Sequence, residues 1–211
     1  MKKGIVFDLD GTLWDACAMI AESWNICVSR EMPGLDVNLT EEDLRGACGL
    51  TMKSIGDKLF PMVPEEERLP LTKACCDFEV EYMQTRGGRV YEGLEEALKK
   101  LGEKYCLYIV SNCQDGYIEC FLNWSGLGKY FADTECYGRT WMEKVDNIRL
   151  LKERNALDKT LYVGDTVTDE ESARMAQCLF VHAAYGFGEA VSPDAAITDI
   201  SQLPETADAL L

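Results

Sequence analysis

Four short apolar runs punctuate the chain: Gly4 to Phe7, Leu107 to Val110, Leu161 to Val163, and Leu179 to Val181. Each is continuous rather than alternating, which predicts strands buried on both faces. Helical stretches separate them, including Glu92 to Lys104 and Asp146 to Arg154. Short buried strands alternating with helices predict an α/β fold with a Rossmann-like parallel sheet.

The pattern changes between Asp15 and Arg86. Ile20, Trp24, Ile26 and Cys27 recur at helical spacing, and strand-like runs are few. Thr40-Glu41-Glu42-Asp43 offers a capping-box start for a second helix, and Pro64-Glu65-Glu66-Glu67 a start for a third. Gly87-Gly88 returns the chain to the alternating pattern. The organisation expected is therefore a core of residues 1–14 and 87–211 with a helical domain of residues 15–86 inserted after the first strand. Such a domain would sit over the carboxyl ends of the strands, where open α/β sheets place their ligands.

Charge narrows the partners. The chain of 211 residues has 37 Asp plus Glu against 21 Lys plus Arg, a net −16. That balance repels phosphate backbones and anionic membrane surfaces, so neither nucleic acid nor membrane is an expected partner. The apolar run after Met1-Lys2-Lys3-Gly4 is too short for a signal peptide, and no run approaches the ~20 residues of a membrane span. A cytoplasmic protein is expected, with its ten cysteines acting as reduced, small core residues. None of them forms a CxxC pair, which argues against structural zinc. Composition is silent on oligomeric state.

The candidate chemistry lies at strand ends. Asp8 and Asp10, in Phe7-Asp8-Leu9-Asp10-Gly11-Thr12-Leu13, close the first strand, and Gly11 permits a sharp turn of the backbone. Asp165 closes the third strand and Asp169 follows in the first turn of the next helix; Ser111-Asn112 closes the second strand with a hydroxyl and an amide. Clustered carboxylates repel, and a hard cation such as magnesium offsets that repulsion while neutralising phosphoryl charge. The only histidine is His182, which excludes a His-dependent triad or a multi-His metal site.

Asp8-Leu9-Asp10-Gly11-Thr12, Ser111-Asn112, a following Lys, and Gly164-Asp165-x-x-x-Asp169 together resemble the four motifs of the haloacid-dehalogenase-like phosphohydrolases. The helical insertion is similar to that superfamily's C1 cap, and phosphoglycolate-phosphatase-like members are the nearest in pattern. The resemblance implies a magnesium-dependent phosphatase of a small phosphorylated metabolite. Asp8 is then the nucleophile and Asp10 the general acid and base. Magnesium is held by Asp8, the backbone carbonyl of Asp10, and Asp165, with Asp169 supporting. Ser111, Asn112 and Thr12 bind the phosphoryl group.

The third motif departs from the usual Gly-Lys-Pro: the chain reads Tyr137-Gly138-Arg139-Thr140-Trp141-Met142-Glu143-Lys144. Lys144 is the candidate contact to Asp8 and phosphate, and Arg139 the alternative. Two other activities compete. A β-phosphoglucomutase-like phosphomutase would share Asp8 and Asp10, but Arg45-Gly46-Ala47-Cys48-Gly49 puts glycine where that branch carries a second base. A non-catalytic magnesium and phosphate-binding domain is the other competitor. Asp10 argues against dehalogenases and phosphonatases, which lack it. Arg45 reads as solvated with a possible substrate contact, Cys113 as a packed thiol, and Met52, Met62 and Met83 as packing.

Overall fold

The four expected strands form the middle of one six-stranded parallel sheet. The computed structural model describes residues 1–211. In chain order the strands are β1 (Lys3–Phe7), β2 (Trp14–Asp15), β3 (Arg89–Val90), β4 (Cys106–Ser111), β5 (Phe131–Cys136), β6 (Lys159–Gly164), β7 (Leu179–Ala183) and β8 (Ala195–Ile197). The sheet order is β5-β4-β1-β6-β7-β8, and every pairing in it is parallel. Register pairs Phe7 of β1 with Ile109 of β4 on one side and with Val163 of β6 on the other.

Alternation explains the apolar runs. Ile5, Phe7, Leu107, Ile109, Leu161 and Val163 pack into one hydrophobic cluster, while Val6, Tyr108, Val110, Tyr162 and Phe180 pack into a second on the opposite face. Both faces are dry, so polar residues have no side to occupy. β5 escapes the sequence pattern because Phe131-Ala132-Asp133-Thr134-Glu135-Cys136 is an edge strand, only partly buried along its first four residues. β8 is three residues long, too short to leave a periodic signal.

Between β2 and β3 the chain is helical: α1 (Cys17–Glu31), α2 (Glu41–Arg45), α3 (Met52–Leu59) and α4 (Glu65–Met83). The stretch that opens at Thr40 yields two helices instead of one. Thr40 and Asp43 make the expected capping box, but α2 stops at Gly46, and Gly49 takes a left-handed φ of 80° before Thr51 caps α3. The ends of this insert are joined by a two-residue antiparallel ribbon, in which Trp14 faces Val90 and Asp15 faces Arg89.

The remaining helices cover the sheet: α5 (Leu94–Gly102), α6 (Tyr117–Ser125), α7 (Tyr137–Thr140), α8 (Lys144–Arg154), α9 (Val167–Met175) and α10 (Leu203–Leu210). Trp14 anchors the ribbon to α6 through Tyr117 and Phe121, at ring-centroid separations of 5.6 and 5.1 Å. Burying such a side chain stabilises by roughly 1.5–3 kcal/mol. No helix is long and apolar enough to cross a membrane.

Candidate functional site

Adjacent strands β4, β1 and β6 end on the same edge of the sheet, at the point where the strand order reverses around β1. Asp8 follows β1 directly, with its N–H donated to the Val163 carbonyl of β6 at 2.8 Å. Ser111 ends β4, and Asp165 follows β6. Gly11 has φ 80° and passes so close to Asp165 that a Cβ there would overlap its carboxylate. Gly164 is constrained by proximity too, since a Cβ would lie 2.6 Å from that of Asp169.

Asp8, Asp165 and Asp169 are buried, and one carboxylate oxygen from each lies within 4.8 Å of the others. Lys144, the first residue of α8 and 2% exposed, sits among them. Its Nζ donates to Asp8 Oδ1 at 2.8 Å and to Asp169 Oδ1 at 2.6 Å. Burial works against its charge, but Asp169 and Asp8 hold its pKa well above the ordinary lysine value. Asp169 divides its oxygens. Oδ1 takes Lys144, while Oδ2 accepts from the Thr166 N–H at 3.1 Å and the Thr166 hydroxyl at 2.6 Å, capping α9.

Asp165 Oδ2 accepts from the Phe187 N–H at 2.7 Å, and its buried Oδ1 has no protein partner. Burial first, and the neighbouring carboxylates of Asp169 and Asp8 second, push Asp165 up to about 8. Burial also pushes Asp8 up to about 6 despite Lys144. Three converging carboxylates opposed by one ammonium, with an orphan oxygen among them, form a hard oxygen donor set suited to a divalent cation.

Asp10 stands apart from this group. Its Oδ1 accepts a 2.8 Å hydrogen bond from the Tyr117 hydroxyl of α6, and burial pushes its carboxyl up to about 8. Asp8, Asp10, Ser111 and Asn112 form the floor of a cleft roofed by the inserted helices. Asn112 Nδ2 donates to the Gly49 carbonyl at 2.9 Å, tying roof to floor. Thr12 is fully buried, does not line this cleft, and its Oγ1 has no partner.

Arg139, the alternative to Lys144, turns outward to Glu119 at 2.6 Å, Asp115 at 3.3 Å and Glu135 at 3.5 Å. Arg45 pairs with Asp15 at 2.8 Å and with Glu41, away from the cleft. Cys113 lines the cleft, but burial raises its pKa well above the ordinary thiol value. His182 Nε2 lies 3.1 Å from the Asp165 carbonyl oxygen, against the backbone that carries Asp165. Of the methionines, Met52 lines the roof, Met83 is buried and Met62 is exposed.

Tyr117, Gln114 and Glu79 were not singled out from the sequence. Glu79 lines the cleft roof from α4, 4% exposed, and accepts from Trp24 Nε1 at 2.6 Å and Gln114 Nε2 at 2.8 Å. Its signal was present as an acid at the helical spacing of the buried residues Thr72, Cys75, Cys76 and Met83. Tyr117 left no comparable signal, because its partner Asp10 is 107 residues away.

The chain is 29% identical over 220 residues to a phosphoglycolate phosphatase of Vibrio vulnificus, covering 95% of this chain and 94% of that one. It is 25% identical over 193 residues to an N-acetylmuramic acid 6-phosphate phosphatase of Pseudomonas putida, covering 88% and 84%. Its fold is shared with a crystal structure titled a predicted phosphoglycolate phosphatase from Haemophilus somnus, at a TM-score of 0.84, 21% identity and 98% coverage of both chains. Residues 5–183 match the haloacid dehalogenase-like hydrolases as a family, and the chain belongs to it.

Proposed function

We propose that this chain is a magnesium-dependent phosphatase of a small phosphomonoester, working through a phosphoryl group carried on Asp8. The observation that carries this reading is the contrast between two carboxylates at one strand end. Asp8 is paired with Lys144, whereas Asp10 accepts from a neutral phenol and is raised further by burial, to about 8. Environments that separate two neighbouring acids suit one to attack and the other to give a proton.

In this reading an oxygen of Asp8 attacks phosphorus, and the bond from phosphorus to the ester oxygen breaks. Protonated Asp10 gives its proton to the departing alkoxide. Now ionised, Asp10 takes a proton from the water that attacks phosphorus, which frees Asp8 and inorganic phosphate. Lys144 holds Asp8 in place and offsets its charge. Tyr117 fixes the rotation of Asp10. Ser111 and Asn112 are the candidates for binding phosphoryl oxygens, Asn112 by exchanging its bond to Gly49. Asp8 and Asp165 would hold the magnesium ion with Asp169 in support, and its charge would neutralise the phosphoryl oxygens.

The inserted helices, residues 15–86, act as a cap that admits substrate and then excludes water, with the Asp15–Arg89 ribbon as its hinge. Release of inorganic phosphate from an aryl phosphate tests the reading. Wild type with magnesium is expected to turn over, while Asp8→Asn loses at least about 10⁴-fold in kcat. Turnover retained in Asp8→Asn removes the nucleophile from this account.

A further inference from the structure

The cleft has a composition that the phosphatase reading alone does not explain. Its walls are apolar, supplied by Ile20, Trp24, Leu44, Leu50, Met52 and Ile55. The Asp and Glu residues that line it are Asp8, Asp10 and Glu79, and no Lys, Arg or His joins them. Lys144, and Arg45 and Lys53 that follow the lining residues Leu44 and Met52 in sequence, are committed elsewhere: Lys144 to Asp8 and Asp169, Arg45 to Asp15 and Glu41, Lys53 to Asp57.

Glu79 is therefore the roof's single acid, set opposite the reacting carboxylates closely enough that its charge contributes to raising Asp10. Trp24 and Gln114 hold it rigidly, one on each oxygen. An ionised carboxylate accepts along about four directions, so two remain for a ligand. A substrate hydroxyl or ammonium would satisfy them. A substrate carboxylate finds no cation in the cleft, and Glu79 can receive it only by first taking a proton, a cost that grows as the pH rises above the Glu79 pKa.

We propose that Glu79 selects phosphate esters whose alcohol ends in a hydrogen-bond donor, hydroxyl or ammonium, and that it disfavours esters ending in a carboxylate. This rests on the phosphomonoesterase reading of Asp8. It separates this chain from the activity named for its Vibrio relative, since phosphoglycolate ends in a carboxylate. Burial raises the Glu79 carboxyl to about 7, and a donor brought by the substrate favours its ionised form.

The test uses the magnesium-loaded full chain and three esters of similar length: aminoethyl, hydroxyethyl and carboxymethyl phosphate, with p-nitrophenyl phosphate as a reference. For wild type at pH 8, a unit above the raised Glu79 carboxyl, kcat/KM on the carboxymethyl ester is expected to fall about 10-fold below the other two. Glu79→Gln is expected to lower kcat/KM for the aminoethyl ester by roughly 10-fold or more and to raise it for the carboxymethyl ester. A loss of packing alone would lower all of them together. Preference for the carboxymethyl ester, or an equal effect of Glu79→Gln on all three, overturns the proposal. Hydrolysis of p-nitrophenyl phosphate with no ranking among the three overturns the specificity assignment alone. Absence of phosphate release from every ester overturns the phosphatase reading and this inference with it.

Discussion

Lys144 decides whether the acidic cluster is tolerable. It is buried, and both Asp8 and Asp169 depend on its ammonium. Lys144→Met keeps the stem and deletes the charge, leaving two buried carboxylates unpaired. Breaking a buried pair in this way costs about 3–5 kcal/mol, so the variant's urea midpoint should fall sharply and its phosphate release should vanish. An unchanged midpoint would mean that Lys144 holds nothing together. Asp8, Asp10, Asp165 and Asp169 stand out in the sequence because they cluster at or just past strand ends, whereas Lys144 is preferred over Arg139 only through the resemblance of the surrounding motifs. Tyr117 and Glu79 do not, since they reach the site only when α6 and α4 pack above it. Backbone approach was partly readable: Gly11 signalled a turn, but its closeness to Asp165 appears only when β1 and β6 lie side by side.

At the level of elements, the buried strands were legible because both faces of the sheet are covered, and the edge strand β5 was not because its exposure erases that signal. Ends were less readable than centres, as the early stop of α2 illustrates. The β2–β3 ribbon was unreadable, being two residues per strand. It nevertheless carries a pH dependence. Burial alone would raise the Asp15 carboxyl, but hydrogen bonds from Arg45 and the Cys17 N–H, together with Arg89, hold it below its ordinary value. A carboxyl depressed in the folded state contributes stability above its unfolded pKa and loses that contribution as pH falls through its folded one. Arg45 is half-buried and Arg89 is exposed, which limits the ion pairs to about 1 kcal/mol. Asp15→Asn should thus lower the thermal midpoint at neutral pH, and the gap to wild type should close below about pH 4. A gap that stays constant down to acid pH would remove the ribbon's ion pairs as its source.

For the whole molecule, the net charge of −16 still opposes polyanionic partners, but it is compatible with a small phosphate ester once a cation reverses the local sign. That cation should be visible in stability. At a magnesium concentration 100 times its Kd, linkage gives about 2.7 kcal/mol. For a chain of this size that raises the thermal midpoint by roughly 5–10 °C. Asp165→Asn should abolish the increase, and a chelator should reverse it in wild type. An increase of equal size in Asp165→Asn would move the metal to other residues.

The account turns on Asp8 carrying the phosphoryl group. Wild type mixed with magnesium and an aryl phosphate, then quenched in acid during turnover and mapped by peptide mass spectrometry, tests this most directly. The result predicted is a phosphoryl group on the peptide bearing Asp8, removable by hydroxylamine and missing from Asp8→Asn. A phosphoryl group on another residue, or turnover by Asp8→Asn with none trapped, would contradict it.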